Sequence, residues 1–270
     1  MKLINYILIL FFFCASCNKD QPLVKTKILG HKGSGSYNKY NNPYFDNSIK
    51  AIVFSLQNLD GSEVDIQMSK DSTLWLFHDN HIRSCEDSLI NFCLLTDDEI
   101  YTFSQCNYRN SLAPLSNLFL MLDTCNYQNK FLSLDLKGLI NPLALSIYKK
   151  DFLFKHYASF IQSYAKEQAI SLAIETKHAA FLTMVNNSVD TYLLELNNLD
   201  SAIFIANKNK FNGISCHFKK LLKDTTLLKK THKKNLKLQV WTPSKPKDIN
   251  LVLPLRVDYL QTDNLYYFIN

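Results

Sequence analysis

The chain has 270 residues and a net charge of +6, and 47% of its residues are hydrophobic. That content excludes a disordered polymer and is enough for one large domain, since single α/β barrels commonly need about 250 residues. The positive charge is spread over many lysines, with no basic-aromatic module, so no nucleic-acid partner is expected.

Residues 1–16 read as a targeting signal. Lys2 supplies the charged start, and Leu3 to Phe13 is mostly apolar. The run is too short to cross a bilayer, which takes roughly 20 residues. Cys14-Ala15-Ser16-Cys17 resembles the lipobox of bacterial lipoproteins, in which the last cysteine is lipidated and becomes the new N-terminus. An ordinary secretory signal cut near Ser16 is the alternative. Both imply export, and lipidation implies a membrane-anchored protein of the cell envelope. Residues 17–26 then form a polar tether, and 27–270 one domain. Of the later cysteines, Cys85, Cys93, Cys106, Cys125 and Cys216, an odd number, none has a zinc-type spacing. Cys85 and Cys93 are one possible pair.

Predicted strands follow at 27–30, 62–68, 73–77, 131–136, 170–174, 191–196, 213–216, 236–241 and 257–261. Predicted helices include 47–58, 115–122, 143–165, 177–187 and 247–253. This alternation points to a parallel sheet with helices outside. Nine strands are one too many for a (β/α)8 barrel, but the surplus is easily located. Only Ser69 to Ser72 separates the second and third strands, and a parallel crossover needs a dozen or more residues. The pair is therefore a hairpin extending the second barrel strand, with Asp71-Ser72 as its expected two-residue turn. That register sets Asp65 opposite His78 and Glu63 opposite Asn80. Glu63 and Asp65, two apart, share one face.

An ordered set of motifs runs along this frame: His31-Lys32-Gly33, Phe45-Asp46-Asn47-Ser48, Glu63-Val64-Asp65, Phe77-His78-Asp79, Asp135-Leu136-Lys137, Val240-Trp241-Thr242 and Val257 to Asp263. In order and spacing the set resembles the glycerophosphodiester phosphodiesterases. Among the departures from the family pattern, Lys32 stands for arginine, Asp46 for glutamate and Asp135 for glutamate. The resemblance implies a TIM barrel that hydrolyses a small-molecule phosphodiester. It also implies one divalent cation, Mg2+ or Ca2+, held by Glu63, Asp65 and Asp135. Hard cations prefer such oxygen ligands. His31 and His78 would act as acid and base, because imidazole titrates near neutrality. Lys32 and Lys137 would contact phosphate, and Trp241 would wall the pocket. Lysine offers a point charge where arginine offers a fork, and aspartate is one methylene shorter than glutamate, so both departures bear on how substrate and metal are held. Rival readings keep the chemistry but change the substrate to a lysophospholipid or a phosphodiester-linked glycan, or make the chain a surface-anchored binding protein on a decayed barrel. His81, His156, His178, His217 and His232 have no such setting.

Overall fold

Eight parallel strands close on themselves in the computed structural model, which describes residues 25–125, 127–165, 170–194 and 198–269. The targeting signal and Cys17 lie outside the described residues, as do positions 195 and 196 of the sixth predicted strand. The strands are β1 (Lys27–Gly30), β2 (Gly61–Met68), β3 (Leu74–Leu76), β4 (His81–Arg83), β5 (Leu89–Asn91), β6 (Phe131–Asp135), β7 (Ser171–Thr176), β8 (Asp190–Leu194), β9 (Gly213–His217), β10 (Lys237–Trp241) and β11 (Tyr259–Thr262). The barrel is β1, β2 and β6 to β11, each parallel to its neighbours. β1 closes it by pairing with both β2 and β11. Among the described residues, no helix is long and apolar enough to cross a membrane.

Alternation along each strand sorts its side chains. Outward positions such as Val64, Leu134, Ile174, Ile214 and Leu238 are fully buried beneath the helices. Inward positions stack in layers, as barrel interiors do. Leu29, Phe131, Ala173, Tyr192 and Tyr259 form an apolar plug at the amino-terminal end of the strands. Above it lie Ser133, Glu175, Ser215, Gln239 and Gln261, joined by hydrogen bonds. Above those the barrel opens into a mouth.

β2 does two jobs. Gly61 to Asp65 pair with β6, and Ile66 to Met68 pair with antiparallel β3, so the hairpin extends the strand past the barrel rim as expected. Its register differs by one residue. The pairs are Ile66–Leu76, Gln67–Trp75 and Met68–Leu74. Ser72 takes a left-handed φ of 67°, making the turn three residues long. Ser69 N–H donates to Thr73 O at 2.9 Å, and Phe77, not His78, donates its N–H to Asp65 O at 3.0 Å. Glu63 has no partner on β3 and sits beside Ser133 of β6.

Two further corrections concern packing. The predicted helix 143–165 is two helices, Pro142–Ile147 and Lys150–Ala165, because Tyr148 is extended between them. The disulfide joins Cys85 to Cys106, not to Cys93, which is a buried thiol. This bridge ties the turn between β4 and β5 to helix Asp97–Asn107. That segment lies between β3 and β6 and packs its own small core around Trp75, Phe77 and Phe92.

Candidate active site

The mouth encloses a cavity of about 260 Å³ lined by His31, Lys32, Glu63, His78, Asp135, Lys137, Glu175, Lys177 and Trp241, among others. Every residue predicted for catalysis, substrate or metal except Asp65 is on this wall, and Asp65 is buried behind it. Oxygen atoms of Glu63, Asp65 and Asp135 all lie within 4.8 Å of one another. β2 presents the first two on one face, and β6 sets Asp135 beside Asp65 in register. Asn47, with a left-handed φ of 58°, clamps Asp65 from both sides. Its Nδ2 donates to the carboxylate at 2.9 Å, and its Oδ1 accepts the Asp65 N–H at 2.8 Å.

The triad is electrostatically divided. Burial, reinforced by Asp65, Glu175 and Asp135, pushes the Glu63 carboxyl well above the usual range. Burial works against charge on Asp65 too, but Lys137, His78, Lys32 and His31 outweigh it and hold that group at about 2. Asp135 is pushed up to about 6 by burial, with Glu175 and Asp65 adding to it against the pull of Lys137. Lys137 Nζ donates to Asp135 at 2.6 Å and stands 3.4 Å from Asp65. Burial disfavours its charge, but the two carboxylates more than compensate and make it a firm cation. The donor set fits a hard divalent ion: three carboxylates, two of them held protonation-prone by burial and, after it, by mutual repulsion. Oxygens bound 2.0–2.6 Å from one centre lie at most about 5 Å apart.

Each site histidine has a carboxylate of its own. His31 follows β1, and its Nδ1 is 2.7 Å from Asp263 Oδ1, just beyond β11. Ser244 donates its hydroxyl to the other Asp263 oxygen at 3.2 Å. Burial opposes ionisation of Asp263, but the His31 contact prevails and lowers its pKa. His31 Nε2 is 3.9 Å from Glu63. His78 lies one residue beyond its expected hairpin position, where the loop after β3 carries it to the mouth. Gln67 Nε2 steadies that loop by donating to the carbonyls of His78 and Asp79. His78 Nδ1 is 2.6 Å from Asp79 Oδ1. A carboxylate on Nδ1 fixes the Nδ1–H tautomer and leaves Nε2 for chemistry.

Lys32 lines the cavity in a left-handed conformation (φ 52°), its N–H donated to Glu63 Oε2 at 2.8 Å. Trp241 also lines the cavity, and its buried Nε1–H has no hydrogen-bond partner among the described residues. An indole donor kept dry normally finds one, so this atom fits a hydroxyl or phosphate oxygen of a bound molecule. Of the remaining histidines, His217 packs edge-on against Trp241 at 4.9 Å, and His156, His178 and His232 contact Ser72 O, Leu139 O and Asp258.

Four members were not assigned from sequence. Glu175 is fully buried beneath Asp135 and accepts from Ser215, Gln261 and Ser133. The predicted strand stops at Ile174, two residues short. Extending its alternation through Ala173, Glu175 and Lys177 finds both inward groups. Asp263 and Asp79 belong to the quoted motifs, and their tie to the histidines appears only once the barrel closes and the loop is placed.

A closed parallel barrel whose mouth gathers three buried carboxylates, two carboxylate-paired histidines and a buried lysine is that of a phosphoric diester hydrolase. Residues 31–266 match the model of the glycerophosphoryl diester phosphodiesterase family, and the chain belongs to that family. Its fold is shared by a glycerophosphodiester phosphodiesterase from Thermotoga maritima (TM-score 0.67, 16% identity, 90% of this chain and 97% of that one). One from Parabacteroides distasonis aligns with TM-score 0.70 and 18% identity over 90% and 95%. A phosphodiesterase from Oleispira antarctica, solved with the product sn-glycerol-3-phosphate, aligns with TM-score 0.68 and 11% identity over 90% and 95%. No curated protein matches the chain.

Proposed function

We propose that this enzyme hydrolyses glycerophosphodiesters to glycerol phosphate and an alcohol, with His31 and His78 as its acid-base pair. The observation that carries this is the cavity itself: two imidazoles, each braced by a carboxylate, share its wall with Glu63 and Asp135 while Asp65 backs them. Glu63, Asp65 and Asp135 would hold one divalent cation, Mg2+ or Ca2+, which when bound neutralises the phosphodiester charge and polarises its oxygens. One histidine takes a proton at Nε2 from the attacking hydroxyl, and the other returns a proton to the departing alkoxide. Lys137, held by Asp135 and Asp65 at the cavity wall, would offer its charge to the phosphoryl oxygens, and Lys32 on the same wall adds a second. Trp241 Nε1–H orients the substrate. The product in the Oleispira antarctica structure is the one this reading releases.

Ile140, Leu194 and Trp241 give the cavity an apolar wall, so a lysophospholipid-type diester is the second reading. The test compares glycerophosphocholine with bis(p-nitrophenyl) phosphate, whose acidic leaving group departs without a proton. The variant lacking the general acid should recover activity on the second substrate only. Equal losses by His31→Ala and His78→Ala on both substrates would refute the division of roles.

The same proposal places the enzyme outside the cytosol on a lipid anchor at Cys17, with 27–270 as the catalytic domain. The Cys85–Cys106 disulfide supports an oxidising compartment. Cys17→Ser should release the protein from the membrane fraction with its fold intact, and retention in the pellet would refute the anchor.

A further inference from the structure

The end of the barrel opposite the mouth carries a charge pattern that hydrolysis does not use. All barrel strands are parallel, so their first residues, and the loops leading into them, share that end. Lys27 and Lys237 begin β1 and β10, and their Nζ atoms flank the Tyr259 ring at 5.9 and 5.8 Å. Lys208 and Lys210 lie in the approach to β9, Lys233 and Lys234 in the approach to β10, and these loops meet where Lys237 N–H donates to Asn212 O. All six side chains are exposed. The carboxylates at this end are largely committed. Asp60 accepts the Ile28 N–H, Asp258 accepts the Leu238 N–H and His232, and Asp190 accepts from Asn212 and stands 3.8 Å from Lys237. Asp123 closes helix Leu115–Thr124 on the other half of the barrel.

We propose that this closed end is a docking face for a bilayer rich in anionic phospholipids, and that it turns the mouth toward the aqueous phase. Two observations select a membrane over other polyanions. The chain enters the barrel here, through Lys25 and Thr26 into β1. On the reading that Cys17 is lipidated, the short tether reaches no more than about 30 Å, so this is the face nearest the lipid. Basic residues near an anionic surface each strengthen its hold and act within a Debye length of it. Substrate then arrives from solution, which favours water-soluble glycerophosphodiesters over diesters still embedded in the membrane.

The test uses the full chain with Cys17→Ser, which removes any acyl contribution. Sedimentation with vesicles of phosphatidylcholine alone is compared with vesicles containing phosphatidylglycerol, at low and high salt. Binding should appear only on the anionic vesicles and disappear in high salt. Adding Lys208→Gln, Lys210→Gln, Lys233→Gln and Lys234→Gln together should lower the partition coefficient at least about tenfold, with hydrolysis of glycerophosphocholine unchanged as the check on folding. Equal binding to both vesicle types, or undiminished binding by the quadruple variant, would overturn the proposal. So would capture by a soluble polyanion such as heparin without capture by vesicles. If the wild-type chain proves to carry no lipid while Cys17→Ser still binds anionic vesicles, the docking face stands and the anchor alone fails.

Discussion

The two histidines of the mouth are held in contrasting ways. His31 and Asp263 are each only 19% exposed, sit at the ends of β1 and β11, and are backed by Ser244. His78 is 36% exposed and its partner Asp79 is 70% exposed, and the two are adjacent on a loop steadied mainly by Gln67. One imidazole is locked by the scaffold, while the other is a loop residue whose carboxylate is mostly in water. Short contacts alone, 2.7 and 2.6 Å, do not reveal this difference, because an ion pair open to solvent adds little while one inside a fixed frame dictates tautomer and aim.

The largest expected effect is from the ring itself. His31→Ala should lower turnover on glycerophosphocholine by roughly 10²–10⁴-fold, the usual worth of a positioned acid or base. Metal affinity, read by calorimetry, should survive. Next comes the pair that separates the two settings. Asp263→Asn keeps the shape but loses the charge that holds His31, and should cost about 10–100-fold in turnover. Asp79→Asn should cost less than about fivefold, in line with other exposed pairs. Equal costs would show that burial does not set the difference.

The carboxylates shared by both histidines give a third measurement. Glu63→Gln and Asp65→Asn should each lose most affinity for Mg2+ and Ca2+, whereas Asp135→Glu should keep it. Unchanged affinity in the first two would place the cation elsewhere.

The smallest effect is a pH dependence of metal uptake. A cation binds the ionised carboxylates, and in the metal-free protein Asp135 is raised to about 6 and Glu63 well above its usual value. Binding must therefore release protons, and affinity should climb as pH rises through about 6. Asp65, at about 2, adds nothing in that window. Titrations in buffers of different ionisation enthalpy count the protons, and a pH-independent affinity would contradict the assignment.

The barrel was legible because its strands are short apolar runs at regular spacing, and the surplus strand betrayed itself by a connection too short for a crossover. The acidic triad was legible because Glu63 and Asp65 obey the period of two. The hairpin register was not, because nothing in Lys70-Asp71-Ser72-Thr73 announces that Ser72 will turn left-handed and lengthen the loop. Helix Asp97–Asn107 carries a capping box from Thr96 to Glu99, yet buries only Ile100 and Ser104, so its apolar stripe is too thin to read. Glu175 was lost to a strand end placed two residues early, at Ile174 instead of Thr176, and boundaries are where sequence reading errs most often.

His31 and Asp263 stand 232 positions apart in the chain. One is contributed by the first strand of the barrel and the other follows the last, and they meet only because β1 pairs with β11. A growing polypeptide thus holds its imidazole early and waits for the carboxylate that aligns it until the last barrel strand has been made. Loss of the final strand would leave most of the apolar interior in place and strip the histidine of its orientation. On the proposed roles, hydrolysis is a readout of ring closure: it waits until the first and last strands of the barrel have found each other.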